Sequence, residues 1–101
     1  MKSMNDLKRL VTVYRNLIEL SSMSNENIEQ AILKLVEETG ELASCHLKES
    51  NPEHMAEEAS DIIQSAFKLA FIIQKQYPEV DLISKLLEKN EKWRKTYSRT
   101  R

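Results

Sequence analysis

The chain has 101 residues, 31% of them charged and 41% hydrophobic, with a formal net charge of −1. That length holds one domain, residues 1–101, and one modest core, so an active site of any size invites a second copy. The near-balance of charge gives no global attraction to nucleic acid, and no apolar run nears the roughly 20 residues of a membrane span.

The single cysteine, Cys45, excludes an internal disulfide and suits a reducing compartment. The opening "MKSMNDLKRL" lacks the apolar stretch of a signal peptide. A cytoplasmic protein is expected. One glycine and two prolines leave little material for the tight turns of sheets, so the expected class is all-α: a four-helix, bundle-type subunit.

The first helix is predicted from Asn5 to Leu20, where Leu7, Leu10, Val11, Tyr14, Leu17 and Ile18 recur at three and four. "SSMSN" breaks it, with Ser24 or Asn25 as the next cap. The second runs from Glu26 to Lys48, with Ile28, Ile32, Leu35, Leu42 and Ala43 on one stripe. The third runs from Pro52, capped by Asn51, to Gln76 and stops before Pro78. The fourth starts near Asp81 and continues through "KLLEKNEKWRKTY", with a tail fraying from about Ser98 to Arg101. The third helix is apolar nearly all round. Met55, Ala59, Ile62, Ala66, Leu69 and Ile73 make one stripe; Ile63, Phe67, Ala70 and Phe71 widen it. So short a chain can hardly surround such a helix, which points to a subunit interface.

The chemistry lies in "KLVEETGELA" and "EEASDIIQSA". Each places an inner carboxylate at the border of the apolar stripe, Glu38 and Glu58, and an outer one three residues later, Glu41 and Asp61. At about 1.5 Å per residue the two pairs lie roughly 10 Å from the "ESNP" break, so an antiparallel hairpin brings all four level. Four carboxylates at one level repel unless a cation joins them, and an all-oxygen set suits Mg²⁺, with Mn²⁺ as substitute. His46 and His54 have neither the Glu-x-x-His spacing of di-iron bundles nor a zinc spacing with Cys45. His54 reads as a surface residue and Cys45 as a small buried one. Gly40, costly inside a helix, suggests close approach of a backbone or phosphate.

From Leu35 to Leu69 the paired motifs resemble the Glu-x-x-Glu and Glu-x-x-Asp signature of the all-α nucleotide pyrophosphohydrolases, closest to the MazG-like branch. The resemblance implies a helical dimer or tetramer and Mg²⁺ held by Glu38, Glu41, Glu58 and Asp61. It also implies hydrolysis of a nucleoside triphosphate, as (d)NTP, to monophosphate and pyrophosphate, with nucleotide-pool house-cleaning as the biological setting. "EKNEKWRKTY" is similar to the family's phosphate-holding segment and offers Lys89, Asn90 and Arg94, although Leu86 stands where the commonest pattern has a lysine. As general base the candidates are Glu38 and Glu37, with Glu37 facing further from the stripe. Tyr14, Arg15, Asn16 and Asn25 are available to read a base.

Two other classes compete. A non-enzymatic helical bundle, interacting or regulatory, would bind a partner through the spare apolar face and carry the carboxylates as surface charge. A single-strand binder would use Trp93 and Tyr97 among Lys92, Arg94, Lys95, Arg99 and Arg101; the patch is short and the rest of the chain acidic, which disfavours nucleic acid. No P-loop is present.

Overall fold

The computed structural model describes residues 3–100, and they form four α-helices with no strand among them: α1 Met4–Ser22, α2 Ile28–Lys48, α3 Pro52–Gln76 and α4 Leu82–Thr100. Each start has a local cause. The Ser3 hydroxyl accepts from the Asp6 N–H at 3.2 Å, and the Asn51 side chain accepts from His54 N–H with Pro52 in the first turn. α2 begins at Ile28 rather than Glu26, because its cap is Asn27 and not Ser24 or Asn25. Asn27 Oδ1 accepts from Gln30 N–H at 2.8 Å, while Gln30 Oε1 accepts from Asn27 N–H at 3.0 Å. Asp81 caps α4 through the Ser84 N–H and hydroxyl. α4 is helical through Thr100; Arg101, the last residue of the expected fraying tail, lies outside the described residues.

α2 and α3 pack along one another as a hairpin, and α1 packs against α3. The turn between them is three residues, 49–51. Ser50 takes it at φ 52°, with its N–H on Cys45 O at 3.0 Å and its hydroxyl on His46 O at 2.8 Å. Gln74 ties the next connection: its Oε1 accepts from Leu82 N–H at 2.8 Å and its amide donates to Val80 O.

The hairpin face of α2 is not the stripe expected. The inward line is Ile28, Ala31, Leu35, Glu38, Leu42 and Cys45, with Ala31, Glu38 and Cys45 buried; Ile32 and Ala43 face outward. Small residues sit innermost because closely packed helices leave no room for large ones. Glu38, expected at the border, therefore stands at the centre of the packed face.

Little else is fully buried: Leu17, Ala31, Cys45 and Ile72 are the buried hydrophobic residues. Phe67 stacks on Phe71 with centroids 4.8 Å apart and meets the Tyr14 ring edge-on at 5.6 Å, and all three stay partly accessible. Ile83, Leu86, Leu87, Trp93 and Tyr97 line an exposed stripe of α4, so this helix does not close a fourth side of the bundle within the chain. No helix among the described residues is long and apolar enough to cross a membrane.

Candidate metal centre

The hairpin brings Glu38 of α2 against Glu58 and Asp61 of α3, with one carboxylate oxygen from each within 4.8 Å of the others. Glu38 keeps 6% of its surface exposed. Its Oε1 accepts from Lys34 Nζ at 3.0 Å, a pair one helical turn apart. Its Oε2 is buried and has no hydrogen-bond partner among the described residues, and the same is true of Glu58 Oε2. Buried carboxylate oxygens are ordinarily paired, so these two are exceptions on two residues of the same cluster. The donor set fits Mg²⁺ or Mn²⁺: hard oxygens only, in number short of six, leaving positions for water and substrate.

Glu41 stands outside this set of three. With Glu38 at the centre of the inward face, a residue three further on is turned about 60° away toward solvent. It remains within the field of the cluster. The charge of Glu38 above all, then burial and Glu58, holds its carboxyl above the ordinary carboxylate range. Glu37 is exposed, 3.6 Å from Lys34 Nζ. The hydrogen bond that Lys34 donates to Glu38, and then the charge of Glu37, raise Lys34 above its ordinary value.

A hollow of about 280 Å³ opens beside the carboxylates, between α1, α2 and α3. Lys34, Lys68, Glu38 and Asp61 line it with Gln64 and Ser65. Lys68 Nζ reaches Glu26 Oε1 at 3.0 Å, bracing the start of α2 against α3. Ser21 lines this hollow and also a larger one of about 540 Å³, where Ser24, Asn25, Glu26 and Asn27 meet Phe71 and Gln74. Glu26 Oε2 is buried there without a hydrogen-bond partner.

Lys34 and Lys68 were not singled out from sequence, although Lys68 follows Asp61 by two turns and so shares its face. The residues that were singled out lie elsewhere. Lys89, Asn90 and Arg94 are exposed on α4, and Asn90 and Arg94 border a separate hollow with Trp93, Tyr97 and Ser98. Within the chain α4 does not bring them to the carboxylates. Asn25 does line the larger hollow, whereas Tyr14 packs on Phe67. Gly40 lies about 200° round α2 from Glu38, exposed and with nothing within 4 Å of an added Cβ, so no described residue accounts for it. His54 is no plain surface residue: it is half-buried, with Nδ1 2.8 Å from Glu49 Oε2 and Nε2 3.1 Å from Glu58 Oε1.

No family model matches the chain, and no curated protein or solved structure is similar to it. The function must be argued from the site.

Proposed function

We propose that the protein is a Mg²⁺-dependent nucleoside triphosphate pyrophosphohydrolase acting as a homo-oligomer. The observation that carries the reading is the meeting of Glu38, Glu58 and Asp61, of which Glu38 and Glu58 each keep a buried oxygen without a hydrogen-bond partner among the described residues. The resemblance of the two motifs to the MazG-like branch supplies the reaction.

Glu38, Glu58 and Asp61 would hold the cation, with Glu41 completing the set from the exposed side. Bound there, Mg²⁺ or Mn²⁺ would withdraw charge from phosphoryl oxygens and make its water more acidic. Lys34 and Lys68 point their charge at the same hollow and suit the remaining negative charge of a triphosphate. Glu38 and Glu37 remain the candidates to take the proton of the attacking water; Lys34 meets both, and Glu37 lines a neighbouring hollow with Glu26 and Gln30 rather than the one beside the carboxylates. Attack at the α-phosphorus releases pyrophosphate. The adjoining hollow of serines, Asn25 and Glu26 has the size and polarity for the nucleoside, joined to the phosphate side at Ser21.

The oligomer rests on surface area. The chain exposes 8444 Å², whereas a folded monomer of 11.8 kDa exposes about 5,900 Å². The excess, about 2,500 Å² per chain, matches what obligate subunits bury. The exposed stripe of α4 supplies part of it, and pairing there offers Lys89, Asn90 and Arg94 a route to a neighbouring site. The same stripe is what a non-enzymatic partner-binding bundle would use, and the carboxylate cluster is what that reading leaves unexplained.

The test is pyrophosphate release over a panel of nucleoside and deoxynucleoside triphosphates with Mg²⁺. Monophosphate and intact pyrophosphate are expected together, and loss of turnover in Glu58→Gln. Diphosphate with orthophosphate, or no turnover on any nucleotide, would overturn the reading.

A further inference from the structure

A second cluster lies at the closed end of the hairpin, and it differs chemically from the first. Cys45 and Glu49, one turn apart at the end of α2, meet His54 in the first turn of α3. The thiol sulfur, a carboxylate oxygen and a ring nitrogen lie within 4.8 Å of one another; the sequence spacing of Cys45 and His54 spoke against zinc, but the turn at 49–51 folds the two together. We propose that Cys45, Glu49 and His54 form a binding site for a zinc-class divalent cation, different in its donors from the carboxylate centre that it adjoins at Glu58.

Four observations support it. The donors are a sulfur, a nitrogen and an oxygen, the mixture that selects Zn²⁺ over Mg²⁺. Around a tetrahedral ion with bonds of about 2.0–2.3 Å these atoms stand roughly 3.3–3.6 Å apart, so the observed cluster needs only side-chain adjustment. Three protein ligands leave one position open, and Glu49 and His54 are accessible enough to admit the ion while Cys45 is buried behind them. Finally, His54 has a second carboxylate beside it: Nδ1 lies 2.8 Å from Glu49 Oε2 and Nε2 lies 3.1 Å from Glu58 Oε1. A carboxylate behind a ligating imidazole fixes its tautomer and raises its basicity.

Entry of the ion costs protons. Burial first, and then the surrounding Glu49, Glu58 and Glu57, push the Cys45 thiol up, and the hydrogen bond to Glu49 above all holds His54 above its ordinary value, so an ion entering must displace both protons. Thiolate and Glu49 then give two negative charges against a divalent cation. The simpler account is an ion-pair latch in which protonated His54 bridges Glu49 and Glu58 and Cys45 is only packing. That account gives Cys45 no part in metal binding.

Cobalt(II) distinguishes the two, because thiolate ligation to it produces an intense near-ultraviolet charge-transfer band. The full-length protein, cleared of metal and kept reduced, is titrated with Co²⁺ alone and then with Zn²⁺. One equivalent of Co²⁺ is expected to give the charge-transfer band together with tetrahedral visible absorption, both erased by Zn²⁺. Cys45→Ser should abolish the charge-transfer band. His54→Ala should weaken Co²⁺ binding at this site by about tenfold or more. Glu38→Gln, which acts on the carboxylate centre, should leave the band in place, with circular dichroism confirming that each variant is folded. Absence of the band in the parent protein, or a band that survives Cys45→Ser, would overturn the proposal.

Discussion

Neutralising Glu38 should act in opposite directions on the metal-free and metal-loaded protein. Glu38 is 6% exposed, and one of its carboxylate oxygens lies within 4.8 Å of one on Glu58 and one on Asp61. Two unit charges at that limit repel by about 3.5 kcal/mol at an effective dielectric constant of 20, so two such pairs store roughly 7 kcal/mol before opposing effects. Lys34 at 3.0 Å from Glu38 Oε1 and water around the outer carboxylates offset most of it. A net relief of about 1 kcal/mol is expected from Glu38→Gln without metal, which raises the midpoint of a chain this size by about 4–8 °C. With Mg²⁺ at 100 times its dissociation constant, the parent protein gains about 2.7 kcal/mol and the variant loses that gain. Thermal unfolding followed by circular dichroism at pH 7, in EDTA and in Mg²⁺, reads both effects. A variant less stable than the parent in EDTA, with equal Mg²⁺ stabilisation in both, would refute the metal centre.

Lys68→Ala should raise KM for the triphosphate more than it lowers kcat, since a cation held beside the hollow binds ground and transition states alike; steady-state kinetics check it. Gly40→Ala should raise stability by about 1 kcal/mol through helix propensity, because its Cβ meets open space. Lower stability together with a changed oligomeric mass by light scattering would instead place a second copy against that face. Acid should loosen α4. Bonds from the Ser84 N–H and hydroxyl hold the Asp81 carboxyl below its ordinary value, so its contribution is full above the unfolded value and lost as pH falls through the folded one. Asp81→Asn keeps a cap and should remove that part of the acid loss in ellipticity.

Where the chain carries punctuation, its elements were legible. Asn51–Pro52 and Pro78 bracket α3, which runs from Pro52 to Gln76 as the sequence predicts. The phase of α2 was harder. Ile32 is larger than Ala31 and draws a hydrophobicity pattern toward itself, yet Ala31 is the buried one. A chain with two apolar faces, one turned inward and one left exposed, offers two stripes, and residue size alone does not say which faces the hairpin. The level meeting of Glu38, Glu58 and Asp61 followed from helix rise and turn length alone. His54 was not legible, because its partners come from the far side of the turn and from a turn further along its own helix.

The turn at residues 49–51 has a consequence for tolerance to change. Connections between helices are usually where insertions and deletions do least harm. Here Ser50, at φ 52°, closes the shortest path between two ligand-bearing helices and works as their gauge. One residue added would lengthen the path by up to about 3.5 Å and let α3 shift against α2, loosening the register at which Glu58 and Asp61 meet Glu38 while each helix remained intact. A substitution in this turn alters a side chain, whereas a change in its length resets the alignment of the whole centre.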